Sequence, residues 1–435
     1  MSARPAAARK RLLHRGWMGF IVSLTLLGSA LAQAPAAPMA VNVAAFNGAW
    51  LGTLDDFKRH VEVCSTPAVD WCETRARWVP GTTQASPEET ARARACQTAT
   101  IEAAGGREAS KLVAPCNAYR NSQPRPPGSA PVDLQALRKP EAYLEKLAGL
   151  RATVEDLVGR DGVRVIAFQE VKSAEAVRVV MGSFADRFDV CAAQHGGFQT
   201  LAFAWDKSLS DAGGVCTTHA ALAILDPPGD PQAFHRVRPG LALQLHVNGA
   251  PVTFMNVHLK SGCASVTNSD PRFPGRLLTD PALPCDVFNR QVPLLEDWIE
   301  AVAARSPRLV MLGDFNRRID DERALAVASD QVRADGTDPA GRHVPGPDGR
   351  VPTKYLWPEI ADGSPALFQL PLKATDAACT GFTGLDHIVV SGPVHAVLAK
   401  HSPGEIGARK SAVQGRAGQL IETSDHCPLI GRLLL

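Results

Sequence analysis

The sequence predicts an α/β sandwich, and two features of its apolar pattern lead to that prediction. Short apolar runs of strand length recur from residue 39 to the end of the chain, and two amphipathic segments of helix length lie between them, at 140–159 and 289–304. Strands that alternate with a few helices are typical of α/β proteins. Several runs end in a polar residue where a structural strand would carry Val or Ile, so a functional site is expected at the strand ends.

The N-terminal segment, residues 1–32, is predicted to be a cleaved signal peptide. Basic residues without an acid precede an apolar stretch from Trp17 to Leu31, and Ala30-Leu31-Ala32 has the small residues of a cleavage site. An uncleaved membrane anchor is the alternative, since the apolar stretch is not far short of a spanning helix. We therefore expect a periplasmic or secreted protein whose single domain covers residues 39–435.

The net charge of the mature chain bears on its partners. Cleavage removes the basic N-terminus and changes the formal net charge from +2 to about −3. A strong positive charge, which is typical of nucleic-acid-binding domains, is therefore absent. This weakens a nuclease function without excluding it, because a local basic rim does not show in a net charge.

All ten cysteines follow the predicted signal peptide. An even number of cysteines in an exported chain favours disulfide bonds over zinc binding or thiol chemistry, and no Cys-x-x-Cys pair occurs. By proximity we expect two pairs, Cys191–Cys216 and Cys263–Cys285. The four early cysteines would then bridge among themselves, which leaves Cys379 with Cys427.

The remaining elements follow in chain order. Strands are predicted at 39–47, 163–168, 201–205, 240–247, 252–259, 309–312, 385–390 and 427–434. The segment at about 60–135 has four cysteines, many prolines and no sustained apolar period, so we expect a disulfide-stapled insertion whose part near 88–104 suits a helix. Residues 261–288 and 333–366 are predicted loops.

Polar residues with metal-binding or acid–base chemistry stand at these strand ends: Asn47, Glu170, His258, Asp314, Asn316, Asp386, Asp425 and His426. Carboxylates, amides and imidazoles gathered at strand ends are what a metal-assisted phosphoryl-transfer site needs. Structural alternatives exist for some of them: a helix cap at Glu170, a turn at Asn47, and an Asx-turn that closes the strand before Asn316.

Taken together, these segments resemble the endonuclease/exonuclease/phosphatase superfamily, which includes pancreatic deoxyribonuclease, abasic-site endonucleases, sphingomyelinases and inositol polyphosphate phosphatases. Six short motifs in the same order carry the resemblance: Phe46-Asn47, Phe168-Gln169-Glu170-Val171, Asn256-Val257-His258-Leu259, Leu312-Gly313-Asp314-Phe315-Asn316, Leu385-Asp386-His387-Ile388 and Ser424-Asp425-His426-Cys427-Pro428. The resemblance covers nearly all of the mature chain outside residues 60–135. It implies a four-layer α/β/β/α sandwich of two mixed β-sheets flanked by helices.

The resemblance also implies a metal site. Glu170 would be the main ligand of Mg²⁺, with Mn²⁺ or Ca²⁺ as alternatives, and Asn47 and Asp425 would lie beside it. A hard divalent ion of this kind prefers oxygen ligands. Asp314 and Asn316 would contact the scissile phosphate and the attacking water.

The implied acid–base groups are two histidines. His426 would act as the base or would orient the nucleophile, with its tautomer fixed by Asp386, since an imidazole titrates near neutral pH. His258 would neutralise or protonate the phosphate or the leaving oxygen. Lys260 is a candidate phosphate contact, although a surface lysine is an equal alternative. Nuclease-type relatives often carry Tyr, Arg or Glu before this histidine, and here Gln199 is the candidate replacement.

These features predict a Mg²⁺-dependent phosphoester hydrolase that uses an activated water. A phosphodiesterase of nuclease type, acting on DNA or RNA as a monomer without an obligate protein partner, is the first hypothesis. A phospholipid hydrolase or a hydrolase of inositol phosphates or other small phosphoesters is the second. A non-catalytic binding protein on the same scaffold is a third, and the complete set of motifs argues against it.

Overall fold

A computed structural model describes residues 37–77, 79, 85–119, 133–226, 235–268, 275–325, 327, 353–361, 363–415 and 418–435. The predicted signal peptide at 1–32 and most of the predicted loop at 333–366 lie outside these residues. Residues Pro38–Leu435 form one compact unit. None of the helices in the described ranges combines the length and the apolarity needed to cross a bilayer.

Two mixed β-sheets and a small ribbon contain the strands of the described ranges. These strands are β1 (Ala40–Leu51), β2 (Val163–Val171), β3 (Phe188–Ala192), β4 (Thr200–Asp206), β5 (Val215–His219), β6 (Leu225–Asp226), β7 (His235–Arg236), β8 (Gly240–Val247), β9 (Ala250–His258), β10 (Leu309–Asp314), β11 (Leu367–Gln369), β12 (Leu372–Thr375), β13 (Asp386–Ser391), β14 (Ala408–Lys410) and β15 (Leu429–Leu434). The first sheet has seven strands in the order β12-β14-β15-β1-β2-β4-β3, and the second has six in the order β11-β13-β10-β9-β8-β5. Strands β6 and β7 form the ribbon.

Helices flank the two sheets. In the described ranges they are α1 (Leu54–Cys64), α2 (Pro87–Ala104), α3 (Arg107–Lys111), α4 (Pro140–Glu155), α5 (Ala174–Met181), α6 (Leu283–Ala303), α7 (Ile319–Arg323), α8 (Trp357–Ala361) and α9 (Gly392–His401). Helix α2 lies where the insertion was expected to be helical. Its start is fixed by Ser86, whose side chain accepts a hydrogen bond from the Glu89 amide, and it ends at Gly105 in the left-handed conformation.

The layering follows from the alternation of side chains along the central strands. In β1, Ala44 and Phe46 share a buried cluster with Leu150 of α4 and Val177 of α5. The neighbouring residue Val43 instead joins a second cluster that contains residues of both sheets.

Strand β10 of the second sheet behaves in the same way. Val310 and Leu312 belong to the cluster between the sheets, whereas Met311 packs with Phe288 and Leu295 of α6. The order of layers is therefore helix, sheet, sheet, helix, and the predicted fold class is confirmed.

The structure differs from the sequence-based prediction at helix α6 and at the sheet edges. Helix α6 begins at Leu283 rather than at Asn289, so the loop predicted over 261–288 is wrong for its last residues. Pro284 explains the difference, because proline is typical of loops but is also well suited to the first turn of a helix. The short strands β3, β5, β11, β12 and β14 were not predicted, since three to five residues give too little pattern.

Five disulfide bonds join the ten cysteines: Cys64–Cys116, Cys72–Cys96, Cys191–Cys216, Cys263–Cys285 and Cys379–Cys427. This pairing matches the one expected from proximity, and the two early bonds staple the insertion. Cys191 lies in β3 and Cys216 in β5, which are the edge strands of the two different sheets. The third bond therefore joins the sheets covalently along one side of the sandwich.

Candidate active site

Strand direction brings the predicted site residues to one edge of the sandwich. Strand β1 is parallel to β2 and β9 is parallel to β10, so in each sheet a pair of carboxyl ends points the same way. Strands β13 and β15 are antiparallel to β10 and β1, and their amino ends lie at that same edge. The residues gathered there are Asn47, Glu170, His258, Asp314, Asn316, Asp386, Asp425 and His426.

Three of these residues form one row across the second sheet. Asp314 at the end of β10 is in register with His258 of β9 on one side and with Asp386 of β13 on the other. Gly313 permits this close approach: its φ is +143°, and a Cβ atom there would lie 2.2 Å from the Val257 carbonyl oxygen. The glycine is therefore part of the reason why the row can form.

Asp314 is the centre of the site. Its Oδ2 atom lies 3.4 Å from Nε2 of His258 and 3.7 Å from Nε2 of His426. The same oxygen accepts hydrogen bonds from the side-chain amides of Asn47 at 3.3 Å and Asn316 at 3.2 Å. The Asn47 contact joins the first sheet to the second. Burial raises the pKa of Asp314 to about 6, although the charge of His426 opposes the shift.

The second pair is His426 with Asp386. Nδ1 of His426 lies 3.0 Å from Oδ2 of Asp386, and the same carboxylate accepts a hydrogen bond from the buried Lys410 ammonium. Burial alone would lower the pKa of His426, but the charges of Asp386 and Asp314 raise it to about 10. This pKa favours the imidazolium form at neutral pH. The contact with Asp386 suits the predicted fixing of the ring, and the role of His426 as a base or as a group that orients the nucleophile stays a prediction.

His258 has the opposite electrostatics. Burial, together with the charges of Arg238 and His426, lowers its pKa well below the usual value. Its Nδ1 atom is buried and has no hydrogen-bond partner among the described residues. A neutral ring whose Nε2 faces carboxylates is a hydrogen-bond donor rather than a positive charge. In this state His258 can donate a hydrogen bond from Nε2, and its predicted role of neutralising or protonating the phosphate or the leaving oxygen stays a prediction.

Among the predicted site residues, Glu170 and Asp425 are the carboxylates that line a cavity. Together with His258 they line a cavity of about 710 Å³. Glu170 is in the left-handed backbone conformation, with φ of +55°, which is uncommon for a residue other than glycine and is often found at functional sites. Burial and the charge of Asp425 raise the pKa of Glu170 to about 7.

This pair fits a divalent cation. Two neighbouring carboxylates that repel each other at the mouth of a polar cavity supply the oxygen donors that Mg²⁺ prefers, and the ion would offset their repulsion. Asn47, the third expected ligand, is fully buried, and its Oδ1 atom already accepts a hydrogen bond from the Ala49 amide at 2.9 Å. Its observed contacts position Asp314.

A second group of possible ligands consists of Asp314, Asp386 and His426, whose donor atoms lie within 4.8 Å of one another. This group is already occupied by internal partners, since Lys410 and His426 both bind the Asp386 carboxylate. A cation there would have to displace the lysine. Glu170 with Asp425 is therefore the better candidate for a metal-binding pair.

The predicted substrate contacts divide into two sets. Gln199 and Lys260 line the cavity, and the Lys260 ammonium lies 2.7 Å from Oδ2 of Asp226. Asn316 is 7% exposed and donates to the Leu259 carbonyl and to Asp314. Its place beside Asp314 suits the positioning of that carboxylate.

Three basic residues of the site were missed by sequence reasoning. Lys410 lies in the short strand β14 and holds Asp386. Lys146 of α4 donates to the carbonyl oxygens of Glu422 at 3.1 Å and Thr423 at 2.5 Å, so it supports the segment that carries Asp425. Arg238 lines the cavity and donates to the Leu259 carbonyl at 2.6 Å, while its buried Nε atom has no partner among the described residues. None of the three belongs to a local motif, and no sequence signal marks them.

Comparisons with known proteins give remote structural likenesses only. No family model matches the sequence, and no curated protein matches it at a significant level. Truncated TDP2 from Caenorhabditis elegans matches at 14% identity and a TM-score of 0.38, over 67% of this chain and 92% of that one. An endonuclease/exonuclease/phosphatase family protein from Bacteroides thetaiotaomicron matches at 13% identity and a TM-score of 0.38, over 68% of this chain and 92% of that one.

A mannosyl-6-phosphatase from Bacteroides thetaiotaomicron matches at 12% identity and a TM-score of 0.38, over 68% of this chain and 94% of that one. TM-scores this low carry no argument about activity, so the function of this chain has to be inferred from its own fold and site. In its two-sheet architecture and its gathered strand-end motifs, the chain resembles the endonuclease/exonuclease/phosphatase superfamily.

Proposed function

We propose that this chain is a divalent-metal-dependent phosphoester hydrolase, that it acts on phosphodiesters, and that water is its nucleophile. The observation that carries the proposal is the position of Asp314 between two histidines of opposite electrostatic character, next to the separate carboxylate pair of Glu170 and Asp425. These residues would supply a proton acceptor, a fixed positive charge, a hydrogen-bond donor and a metal site.

Asp314 is the proposed general base. Its pKa, raised to about 6, lies close to neutral pH, which suits a group that accepts a proton from water. The water oxygen forms a bond to phosphorus while one of its protons passes to Asp314. The ester P–O bond then breaks, the departing alkoxide takes a proton from solvent, and Asp314 returns its proton to solvent.

The other residues stabilise charge on the phosphoryl group. His426, kept protonated by Asp386, faces Asp314 and supplies a fixed positive charge beside the reacting group. His258 donates a hydrogen bond to a phosphoryl oxygen. Glu170 and Asp425 would hold the metal, which when bound polarises a phosphoryl oxygen as a Lewis acid.

We also propose a periplasmic or secreted location with Mg²⁺ as the metal. Five disulfide bonds support an oxidising compartment, and the basic and apolar pattern of residues 1–32 supports export. The oxygen-only donor pair supports a hard cation over zinc.

A substrate of small size is a second candidate beside nucleic acid. The cavity of about 710 Å³ falls within the usual range for small-molecule pockets. The residues of the insertion that line it, such as Arg75 and Asn117, close one side. A small phosphodiester or phosphomonoester would fit this space.

The test uses the mature chain from residue 33 with three substrates: supercoiled plasmid, bis(p-nitrophenyl) phosphate and p-nitrophenyl phosphate. We expect Mg²⁺-dependent cleavage of a diester, loss of turnover with EDTA, and loss in Asp314→Asn. Asp320→Asn is the matched control, since Asp320 is exposed on α7 outside the site. Turnover of the monoester alone would replace the diesterase proposal by a phosphatase, and no turnover of any substrate would overturn the hydrolase proposal.

A further inference from the structure

The cavity in front of the candidate metal site is lined by both acidic and basic side chains. Glu170 and Asp425 are the carboxylates of the candidate metal site, and Glu108, Asp226 and Glu422 also line the cavity. A second group of lining residues, defined here as the basic wall, is positively charged: Arg75, Arg236, Arg238 and Lys260. The proposed chemistry uses Glu170 and Asp425 and leaves the basic wall without a role.

The basic wall is built from segments that are distant in sequence. Arg75 belongs to the disulfide-stapled insertion, between the two ends of the Cys72–Cys96 bond. Arg236 lies in β7 and Arg238 directly follows that strand, while Lys260 follows β9. All four residues line the same cavity, and the charge of Arg75 acts on both Arg238 and Lys260.

The negative charges that act on the basic wall come from Asp226, Glu170 and Asp314. Lys260 pairs with Asp226 at 2.7 Å. Arg236 and Arg238 donate to the carbonyl oxygens of Ala223 and Leu259, which are uncharged partners. In the described part of the chain, the Arg75 guanidinium makes no ion pair, and the buried Nε atom of Arg238 has no partner.

The charge of Arg238 acts on residues of the site and the cavity, among them His195, Glu170 and Asp314. Burial, followed by the charges of Arg238 and Arg236, lowers the pKa of His195 to about 4, so this cavity-lining imidazole stays neutral. At Glu170 and Asp314 the same charge opposes the rise in pKa that burial causes. Arg238 is thus a residue of the basic wall whose charge also acts on the carboxylates of the proposed chemistry.

We propose that the basic wall is a second anion subsite, which binds a phosphate group of the substrate other than the one that is cleaved. The proposal rests on the proposed function, because it assigns the scissile phosphate to Glu170, Asp425 and Asp314. The substrate class is then a compact phosphodiester that carries an additional terminal phosphate, such as the phosphorylated end of a nucleotide chain. An internal bond of a long duplex offers no such terminal dianion.

The insertion is what makes this subsite specific to the chain. Arg75 reaches the cavity only because the early disulfide bonds hold the segment that contains it. A terminal phosphate carries more negative charge than a backbone phosphodiester and forms stronger charge-assisted hydrogen bonds with guanidinium groups. The basic wall should therefore select for chain ends.

The kinetic test compares two chromogenic diesters with the same scissile bond: thymidine 5′-(p-nitrophenyl phosphate) with a 3′-hydroxyl group, and the same compound with a 3′-phosphate. We expect kcat/KM of the wild type to be about tenfold higher for the 3′-phosphate compound, mainly through a lower KM. Arg75→Ala and Arg236→Ala should each reduce that preference severalfold, mainly by raising KM for the 3′-phosphate compound.

Arg77→Ala is the matched control. Arg77 lies in the same segment, is exposed, pairs with Glu73 and does not line the cavity. It should keep the full preference. Equal kcat/KM of the wild type for the two compounds, or equal behaviour of the Arg75 and Arg77 variants, would overturn the subsite.

A binding measurement separates this proposal from the proposed function. Calorimetric titration with inorganic pyrophosphate in EDTA reports on the basic wall without turnover. Binding that weakens in Arg75→Ala and Arg236→Ala but not in Arg77→Ala would support the subsite even in a chain without hydrolytic activity. Hydrolysis of the 3′-hydroxyl compound, combined with pyrophosphate binding that is identical in all variants, would overturn the subsite and leave the hydrolase proposal standing.

Discussion

The two histidines of the site, His258 and His426, differ in pKa although both lie beside Asp314. Both histidines face the same carboxylate oxygen, yet the pKa of His258 is lowered and that of His426 is raised. The difference lies in their other neighbours, since His258 is close to Arg238, whereas His426 has Asp386. The site therefore contains one neutral and one protonated imidazole, which is a division of roles that the sequence does not reveal.

Replacing Asp386 by Asn should separate these roles. Asp386 is the main charge that raises the pKa of His426, so in Asp386→Asn the imidazolium should lose its proton at a lower pH. We expect kcat/KM at pH 8 to fall by about 100-fold or more. The alkaline limb of the pH–rate profile, near pH 10 in the wild type, should move to lower pH. The exposed Asp376→Asn serves as control, and an alkaline limb that stays in place would rule out this role of Asp386.

Glu170 should make the metal-free protein less stable as the pH rises. Its pKa is about 7 in the folded chain against a usual value of 4.5, so between these two values the folded state binds more protons than the unfolded state. The free energy of unfolding should therefore decrease from pH 4.5 to pH 7. Glu170→Gln should remove this decrease, and the exposed Glu145→Gln should not. Urea unfolding in EDTA at several pH values measures it, and equal pH dependence of both variants would contradict the assignment.

Metal binding should reverse the effect. In the presence of Mg²⁺ the Tm of the wild type should rise at about pH 8, because the cation binds the folded state and offsets the repulsion between Glu170 and Asp425. Glu170→Gln should show little of this rise. A Tm increase of the same size in both proteins would place the metal elsewhere.

Among the secondary-structure elements, the ends of β9 and β10 determine how closely His258 and Asp314 approach each other. The register that puts Asp314 beside His258 requires the two backbones to approach at Gly313. Gly313→Ala would place a Cβ atom 2.2 Å from the Val257 carbonyl oxygen, so the strands would have to separate. We expect a loss of about 3 kcal/mol in the free energy of unfolding and a loss of activity. Urea denaturation measures the first of these.

Gly404→Ala is the control for this substitution, because a Cβ atom there would meet nothing within 4 Å. It should leave stability and activity unchanged. Similar effects of the two substitutions would show that the close approach at Gly313 is not required.

Elements also explain which parts of the site were predictable from sequence. Glu170, His258, Asp314 and Asp425 each follow or precede a strongly apolar strand, and this local pattern is enough to place them at one edge. Lys410 lies in the three-residue strand β14, which has too few residues for any periodicity. Its contact with Asp386 depends on the pairing of β14 with β15, a tertiary event that no local pattern encodes.

For the whole molecule, the Cys191–Cys216 bond joins the edge strands of the two sheets. A cross-link between residues 25 positions apart removes conformational entropy from the unfolded chain. We expect the double variant Cys191→Ser/Cys216→Ser to lose about 3 kcal/mol in the free energy of unfolding. Chemical denaturation under oxidising conditions measures the loss.

Cys72→Ser/Cys96→Ser is a matched comparison, since this bond closes a loop of similar length, 24 positions, within the insertion. This variant should lose less free energy of unfolding than Cys191→Ser/Cys216→Ser does. It should also lose part of the preference for a substrate with a second phosphate. Full retention of that preference would contradict a role of the insertion in the basic wall.

The overall architecture was predictable because the central strands are long and apolar and six motifs stand in a known order. The insertion was predictable only as a stapled segment. Its contribution to the cavity through Arg75 depends on where the disulfide bonds place it, and an arginine in a proline-rich segment carries no sign of that position.

The Cys379–Cys427 bond lies directly beside His426 and has a consequence for the cell that makes this protein. In a reducing compartment this bond does not form, so the segment that presents His426 lacks its covalent anchor to the preceding loop. We expect the newly made chain to be latent until it meets an oxidising environment. The proposed export would then be the step that completes the site, and the phosphoesters of the producing cell would be spared.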